Sequence, residues 1–336
     1  IFLVILVATF AYQLSPDKTK NANQMHLSIH SKGPGFSCLF LIVPRDTLAL
    51  RESFFNGNIS TNDEIPVKEI SWINDAILFK RYGNATDYFE KVDYKNFPGE
   101  IGRNEIERKY LKKKFFILGT DKFGRDLLSR LIIGSRVSIS IGFVAVIISL
   151  ILGVFFGSIA GFYGGCIDKI IVWLINVVWS VPTLLMVIAI TLALGKGFWQ
   201  VFVAVGITMW VEVARLVRGL VKSIKEEYYV KAGVVLGFSR MRILLYHILP
   251  MTIGPLIIIS AANFASAILM ESGLGFLGIG AQPPMPSWGG MVKNHFNYLL
   301  LGKPYLTILP GLAIMSLVLS FMTLGNSLRD ALHVKD

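Results

Sequence analysis

Residues 137–167 read VSISIGFVAVIISLILGVFFGSIAGFYGGCI and carry no charged side chain. An α-helix rises about 1.5 Å per residue, so roughly 20 apolar residues cross the ~30 Å hydrocarbon core of a bilayer. The stretch exceeds that length. It therefore predicts a membrane-spanning helix.

Three further uncharged stretches are long enough to span a bilayer: 170–195, 243–270 and 304–328. Another, 197–211, holds only 15 residues and is too short. We extend this span to about Arg218, which places Glu212 and Arg215 on one helix face, at the membrane interface or paired inside the bundle. Five spans are thus predicted after residue 135.

The composition of the whole chain agrees with a membrane protein. Of 336 residues, 53% are hydrophobic and 16% are charged, whereas an ordinary soluble domain has about 25% charged residues. The 33 Lys and Arg outnumber the 22 Asp and Glu, which gives a formal net charge of +11. These values exclude a disordered chain, a soluble enzyme of usual composition and an acidic scaffold. The two cysteines, Cys38 and Cys166, are too few for a disulfide framework.

Residues 1–14, IFLVILVATFAYQL, are apolar but short. One interpretation is the core of a signal peptide, because Ala8 and Ala11 resemble a small-residue cleavage pattern. The interpretation that we prefer is a transmembrane helix whose beginning is missing, since the sequence starts with Ile1. Both interpretations place residue 15 across the membrane, and the second gives six transmembrane helices with the first one truncated.

The basic side chains set the orientation. Seven of them lie between 212 and 247, and the positive-inside rule places this stretch in the cytoplasm. Residues 15–130 then lie outside, where short strand-like and helix-like runs separated by turn signals predict an α/β-like insertion. We therefore divide the chain into a remnant of transmembrane helix 1 (1–14), an extracytoplasmic insertion (15–130) and a five-helix core (131–336) with a cytoplasmic loop at 219–250.

Gly153, Gly157 and Gly161 are spaced four residues apart along the first complete span. Small residues on one helix face let a second helix approach closely in a membrane. The pattern indicates helix packing, although glycine is also common in membrane helices in general.

No motif predicts catalysis or metal binding by this chain. Residues 273–278 match the GxGxxG dinucleotide fingerprint by residue type. We reject this match because a membrane span precedes it and a proline-rich stretch follows it, whereas the motif requires a strand before it and a helix after it. No GxxxxGK[ST] phosphate loop is present, and His26 and His30 lack a third ligand nearby. Glu271, a lone acid at the outer end of a span, either has a function or reaches interfacial water.

The most informative segment is YYVKAGVVLGFSR at 228–240, which continues to His247-Ile248-Leu249-Pro250. It predicts a short helix with small residues, a break at Gly237 and an amphipathic stretch that re-enters the membrane at Pro250. Small residues beside Tyr, Leu and Arg suit docking into a groove of another protein. A basic amphipathic helix lying on anionic lipid is the equal alternative.

This segment resembles the cytoplasmic loop of the permease subunits of ATP-binding-cassette (ABC) importers, in particular the dipeptide/oligopeptide/nickel permease family. The family pattern is EAA, three residues, Gly, nine residues and Ile-x-Leu-Pro. Gly237, Leu249 and Pro250 match it, whereas Lys231, Gly233 and His247 depart from it. The resemblance covers about 118–333 through further family-like blocks: 118–121, 124–126, 160–165, 214–219, 282–289 and 328–332.

The resemblance implies an all-α polytopic fold, the type I ABC importer permease, in a bacterial inner membrane. It implies a heterodimer with a second permease, two ABC ATPase subunits that carry ATP and Mg, and an extracytoplasmic solute-binding protein. It gives no role to nucleic acid, to a cofactor in this chain or to catalysis by this chain. The substrate would be a dipeptide or oligopeptide. The alternatives are nickel or another small solute, or a secondary transporter or receptor that is not coupled to an ATPase.

The resemblance also implies site residues. The segment 229–240 would be the coupling helix, seated in an ATPase cleft, and its candidate contact residues are Tyr229, Ala232, Gly233, Leu236, Gly237 and Arg240. The loop 282–289 would contact the binding protein or close the outer mouth through Pro283, Pro284, Pro286 and Trp288.

Overall fold

The computed structural model describes residues 1–44, 57–58, 62–73, 75–83, 88–98, 102–195 and 197–333. Their α-helices are α1 (Phe2–Thr9), α2 (Ala11–Leu14), α3 (Arg103–Tyr110), α4 (Leu127–Tyr163), α5 (Gly165–Trp179), α6 (Thr183–Leu194), α7 (Phe198–Lys225), α8 (Tyr228–Val235), α9 (Arg240–Ile243), α10 (Ile253–Leu277), α11 (Trp288–His295) and α12 (Tyr305–His333). Their strands are β1 (Phe36–Val43), β2 (Asp63–Ile73), β3 (Ala76–Arg81), β4 (Glu90–Asp93) and β5 (Leu111–Phe116).

Four helical segments are long and apolar enough to cross a membrane: Leu127–Tyr163, Phe198–Lys225, Arg240–Leu277 and Tyr305–Ala331. Each one contains or overlaps a stretch that the charge pattern predicts to span. The span predicted over 243–270 is extended by α9, by a π-helical segment at Leu244–Ile248 and by a 3₁₀ segment at Leu249–Thr252. The four long spans are therefore where the sequence indicates.

The span predicted over 170–195 is wrong as a single straight helix. The chain forms α5 and α6, which are bent by 89° at a short break. Pro182 explains the break, because it has no backbone N–H and disfavours helical geometry at the residue before it. The two helices have 15 and 12 residues, or about 22 and 18 Å, and neither alone crosses the hydrocarbon core.

The predicted count of six spans is not confirmed. The described residues give four spanning helices, or up to five when the bent pair counts as one. Residues 1–14 form α1 and α2, which are broken at Phe10 and too short to span. Val4 of α1 packs in the core that α4 and α12 share.

The closest helix pair of the bundle is α4 and α7. A Cβ atom at Gly157 would lie 2.5 Å from the carbonyl oxygen of Ala214, and one at Gly161 would lie 2.8 Å from that of Arg218. Gly153 faces Val213 in the same way. The backbones of the two helices thus approach where the three spaced glycines lie.

The bundle has two ends, which we call the sheet end and the loop end. At the sheet end, α4 begins next to the β-sheet, α7 begins at Phe198 with Phe202 packed against Ile141, and α12 begins at Tyr305. At the loop end, α4 ends at Tyr163, α7 ends at Lys225 and the segment 226–252 follows. The long helices therefore join two separate surfaces.

The predicted insertion contains an antiparallel five-stranded sheet with strand order β4-β3-β2-β1-β5. Its core is formed by buried side chains of the strands, of α3 and of the segment that follows β4: Leu41, Val67, Ile77, Phe79, Phe97 and Ile106. The helix α4 starts at Leu127, inside the segment 15–130 predicted as the insertion. The sheet is thus a folded unit with a hydrophobic core of its own.

A buried turn fixes the sheet to α4. Asp121 is fully buried, and its carboxylate accepts hydrogen bonds from the backbone N–H groups of Phe123 at 2.8 Å and Arg125 at 3.0 Å. The Arg125 guanidinium donates to the same carboxylate at 2.7 Å. Gly124 has φ +73°, and a Cβ there would clash with the backbone of His26. Only glycine fits this close turn.

Candidate coupling site

The loop end is held by contacts between charged side chains and helix ends. The Lys225 ammonium donates to the carbonyl oxygen of Phe162 at 2.7 Å, which satisfies a free carbonyl at the end of α4. Asp168 on α5 accepts hydrogen bonds from both Arg218 and Lys222 of α7, each at 2.8 Å. The ends of α4, α5 and α7 are therefore tied together where the loop begins.

The helix α8 packs one face against the bundle. Val230 is only 2% exposed and lies in a core with Val217, Val221 and Ile243. Gly233 faces the same way, and a Cβ there would lie 3.3 Å from the ring of Phe238. Gly233 is therefore buried against the protein's own loop and does not present a surface for docking.

A left-handed glycine ends α8. Gly237 has φ +79°, its N–H donates to the carbonyl of Val234 at 3.0 Å, and the next N–H, of Phe238, donates to Gly233 at 3.0 Å. This pair of bonds is the Schellman motif, in which glycine avoids the strain of positive φ. Ser239 then caps α9 by accepting from the N–H of Arg242 at 3.3 Å.

The outer face of this helix–turn–helix is apolar. Val235 is 87% exposed and Leu236 is 72% exposed. We define the loop-end surface as the six exposed side chains Tyr228, Val234, Val235, Leu236, Met241 and Tyr246. An exposed apolar patch of this kind with a charged rim marks an interaction site. Beside it lies an open cavity of about 710 Å³, which Val234, Val235 and Arg240 help to line.

The six predicted coupling residues differ in how far their side chains are exposed. Ala232, Leu236, Gly237 and Arg240 are exposed, and Tyr229 is about half exposed with its hydroxyl 3.5 Å from the carbonyl of His247. Only Gly233 is buried, where it packs against Phe238, and the coupling role of all six residues stays a prediction.

The charge that departs from the family pattern is paired locally. The Lys231 ammonium lies 3.0 Å from the Glu226 carboxylate, and both side chains are exposed. Such surface pairs contribute little to stability.

The family pattern did not single out several exposed side chains of the loop-end surface, among them Tyr228, Val235 and Tyr246. Their signal in the sequence is a run of large apolar residues beside the basic residues of a loop.

At the sheet end, the loop 282–289 is only partly exposed. Pro283 and Pro284 are exposed, whereas Trp288 is 4% exposed and donates its indole N–H to the carbonyl of Leu131 at 2.9 Å. Pro286 is buried as well. In this structure Pro286 and Trp288 are buried and Trp288 anchors the loop to its own bundle, and the role of the loop at the outer mouth or toward the binding protein stays a prediction.

His295 is buried and connects α11 to the turn that contains Asp121. Its Nδ1 donates to the carbonyl of Met291 at 2.8 Å, and its Nε2 lies 3.4 Å from the backbone N–H of Lys122, which donates to it. Burial lowers the pKa of His295 below its ordinary value. The ring is therefore neutral at pH 7, with one nitrogen donating and the other accepting.

Within the described part of the chain, no group of three or more His, Cys, Asp or Glu side chains is arranged to hold a metal ion.

Residues 153–334 match the family model described as binding-protein-dependent transport system inner membrane component. The dipeptide transport system permease protein of Alkalihalophilus pseudofirmus is 40% identical over 217 residues, which cover 65% of this chain and 71% of that protein. The oligopeptide transport system permease protein of Bacillus subtilis is 38% identical over 217 residues, with the same coverage of both chains. The glutathione transport system permease protein of Pectobacterium atrosepticum is 37% identical over 218 residues, 65% of this chain and 72% of that one.

The family model covers the C-terminal end of α4 and all of α5 to α12, and with them the loop-end surface. These matches confirm the resemblance found in the loop. The chain belongs to the family of binding-protein-dependent transport system inner membrane components, and it is a multi-pass protein of the inner membrane.

Proposed function

We propose that this chain is the permease subunit of an ATP-driven ABC importer for peptides. The observation that carries the proposal is the loop-end surface, an ordered apolar helix–turn–helix at one end of the spanning helices. The names of the relatives, which refer to dipeptide, oligopeptide and glutathione transport, support a peptide rather than nickel or another small solute.

The partners follow from this proposal. A second permease completes the translocation pathway, a solute-binding protein delivers the peptide, and two ATPase subunits hold ATP and Mg. The helix α8 sits in the cleft of one ATPase through the loop-end surface. This chain is a non-catalytic subunit.

The contacts at the loop end support a route by which a displacement of α8 reaches the membrane-spanning helices. Lys225 ties α7 to α4, and Asp168 ties α5 to α7. A displacement of α8 by the ATPase therefore moves these three helices as a unit. Peptide and nucleotide must each bind one orientation of the bundle more tightly than the other for the cycle to run.

The proposed topology places the loop end in the cytoplasm and the sheet outside, where Pro283 and Pro284 are available to the binding protein. It treats α5 and α6 as one broken span, and α1 with α2 as the end of the first of six transmembrane helices. Exposed apolar side chains of α1, such as Phe2 and Leu3, support contact with lipid. The fold is that of a type I importer permease.

The test is reconstitution with the second permease, the ATPases and the binding protein. Val235→Asp places a charge in the loop-end surface, and Leu27→Asp places one on an equally apolar exposed position near the sheet. We expect Val235→Asp to abolish ATPase co-purification and ATP-dependent uptake of a labelled dipeptide, and Leu27→Asp to retain both.

Other outcomes would reject parts of the proposal. Normal ATPase binding by Val235→Asp would reject the docking surface. Uptake that runs on an ion gradient without ATP would favour a secondary transporter. Uptake of nickel but of no peptide would reject the substrate.

A further inference from the structure

Glu212 is an acid in the middle of a spanning helix. The helix α7 has 28 residues, and Glu212 lies about 21 Å from its first residue. Its side chain is exposed, whereas Val211 and Val213 on either side are buried. Among the residues that the structure describes, none has an ion pair with the Glu212 carboxylate within 4.0 Å.

A carboxyl group at this depth does not belong against lipid. Ionisable side chains in the centre of membrane helices are costly there, and they face the bundle interior or a water-filled cavity. Glu212, Arg215 and Gly219 are the exposed positions of one helix face, at spacings of three and four. This face of α7 is therefore turned toward an aqueous route or a protein partner.

A small cavity of about 60 Å³ lies beside Glu212, which is one of its lining residues. The hydroxyl-bearing residues Thr183, Thr208 and Ser266 line it together with apolar Val, Trp and Met side chains. Thr183 is the first residue after the break between α5 and α6. Non-helical backbone at membrane depth is tolerated where it lines such a cavity, and broken helices mark binding sites in other transporters.

The cation on this face of α7, Arg215, already has a partner in the protein. Its guanidinium carbon lies 3.5 Å from the ring centroid of Trp179, so the cation on this face is held against an aromatic ring. The hydroxyl of Thr208 donates to the carbonyl of Val205 at 2.8 Å, which leaves its lone pairs as acceptors. The cavity is thus an acceptor site that suits a group with several N–H donors.

We propose that Glu212, with the hydroxyls of Thr208 and Ser266, binds the α-ammonium group of the substrate peptide as it crosses the membrane. The inference rests on the proposed peptide import and names the group that the pathway recognises. An ammonium group has three donors and no acceptor. The cavity accommodates that group alone, so the remainder of the peptide lies along the open face of α7.

The first experiment tests whether Glu212 faces water. In a Cys38→Ala, Cys166→Ala background, Glu212→Cys is labelled with a membrane-impermeant cationic thiol reagent in the assembled importer. Ile170→Cys is the control, because Ile170 is an exposed apolar residue on the outer face of α5. We expect labelling at 212 to be at least tenfold faster than at 170. Equal rates would overturn the inference.

The second experiment tests the ammonium group. Met270→Cys, at another lining position of the cavity, serves as the reporter with Glu212 intact. We expect dialanine amide, which is a cation, to slow labelling at 270, and N-acetyldialanine, which is an anion, to leave it unchanged. Adding Glu212→Gln should weaken the protection at least fivefold, whereas Glu107→Gln, a surface acid on α3, should not.

Three outcomes separate the possibilities. Protection that survives Glu212→Gln would overturn the ammonium site. Loss of the second permease on purification of Glu212→Gln would also overturn it, and would assign Glu212 to an ion pair between the permeases. Failure of the unmodified importer to take up any peptide would reject the proposed function, even where the labelling pattern at 212 and 170 is as expected.

Discussion

Replacing Gly157 with alanine tests the close approach of α4 and α7. The added Cβ would lie 2.5 Å from the carbonyl oxygen of Ala214 and 2.9 Å from the Cβ of Val217. Carbon–oxygen contacts are normally about 3.3 Å or longer, so the helices must separate locally by about 0.8 Å. Neither contact is the flexible end of a side chain, and overpacking of this kind costs about 1–3 kcal/mol.

Thermal unfolding of the detergent-purified protein measures this cost. A loss of 1 kcal/mol lowers Tm by about 2–4 °C in a chain of 150–250 residues, so a cost of about 1–3 kcal/mol should lower Tm by roughly 2–12 °C. The matched control is Gly219→Ala on α7, where the new Cβ meets nothing within 4 Å. Because alanine is the better helix former, this control should hold or raise Tm. Equal Tm values for the two variants would refute the packing argument.

Three further changes have defined outcomes. Gly237→Val forces a β-branched residue to φ +79° and should stop ATP-driven uptake while the protein still inserts in the membrane, measured by transport assay and immunoblot. Gly124→Ala should lower the free energy of unfolding by about 2 kcal/mol or more in denaturant titrations, since positive φ and a backbone clash add. Burial lowers the pKa of His295 in the folded state, so the unfolded chain binds more protons below about pH 6.5. The free energy of unfolding should therefore fall as the pH decreases from 7 toward 5. His295→Gln should flatten this pH dependence.

Two of these predictions have a control variant, and the third has a result that would contradict it. Gly302 also has a positive φ, at the sheet end with open space around it, and Gly302→Val should leave more uptake than Gly237→Val. Gly35 has φ +80° but no neighbour within 4 Å, so Gly35→Ala isolates the strain from the clash. Stability that rises on acidification would contradict the neutral buried state of His295.

The spanning helices were predictable because one physical requirement, a long run without charge, decides them. The break between α5 and α6 was missed because a count of charges ignores Pro182, which is present within the uncharged stretch 170–195. The sequence spacing places Glu212 and Arg215 on one helix face but does not show whether the two side chains pair. The structure holds Arg215 on Trp179 instead.

Burial was harder to predict than helix position. The proline-rich loop predicts an exposed Trp288. In the structure its side chain is buried and donates to the carbonyl of Leu131, which lies 157 residues away in the chain. The sequence does not decide whether Glu271 has a function or reaches interfacial water. In the structure Glu271 is completely buried, and its carboxylate lies 3.4 Å from the hydroxyl oxygen of Ser138. Such contacts are set by tertiary packing, which a local pattern does not contain.

The helix α4 has a mechanical consequence. It runs unbroken for 37 residues, about 55 Å. The turn around Asp121 fixes its start to the sheet, and Lys225 ties its end to α7. Under the proposed function, a tilt imposed at the loop end is therefore carried to the sheet, and a fluorescent label on the sheet should report the nucleotide state of the proposed ATPase subunits.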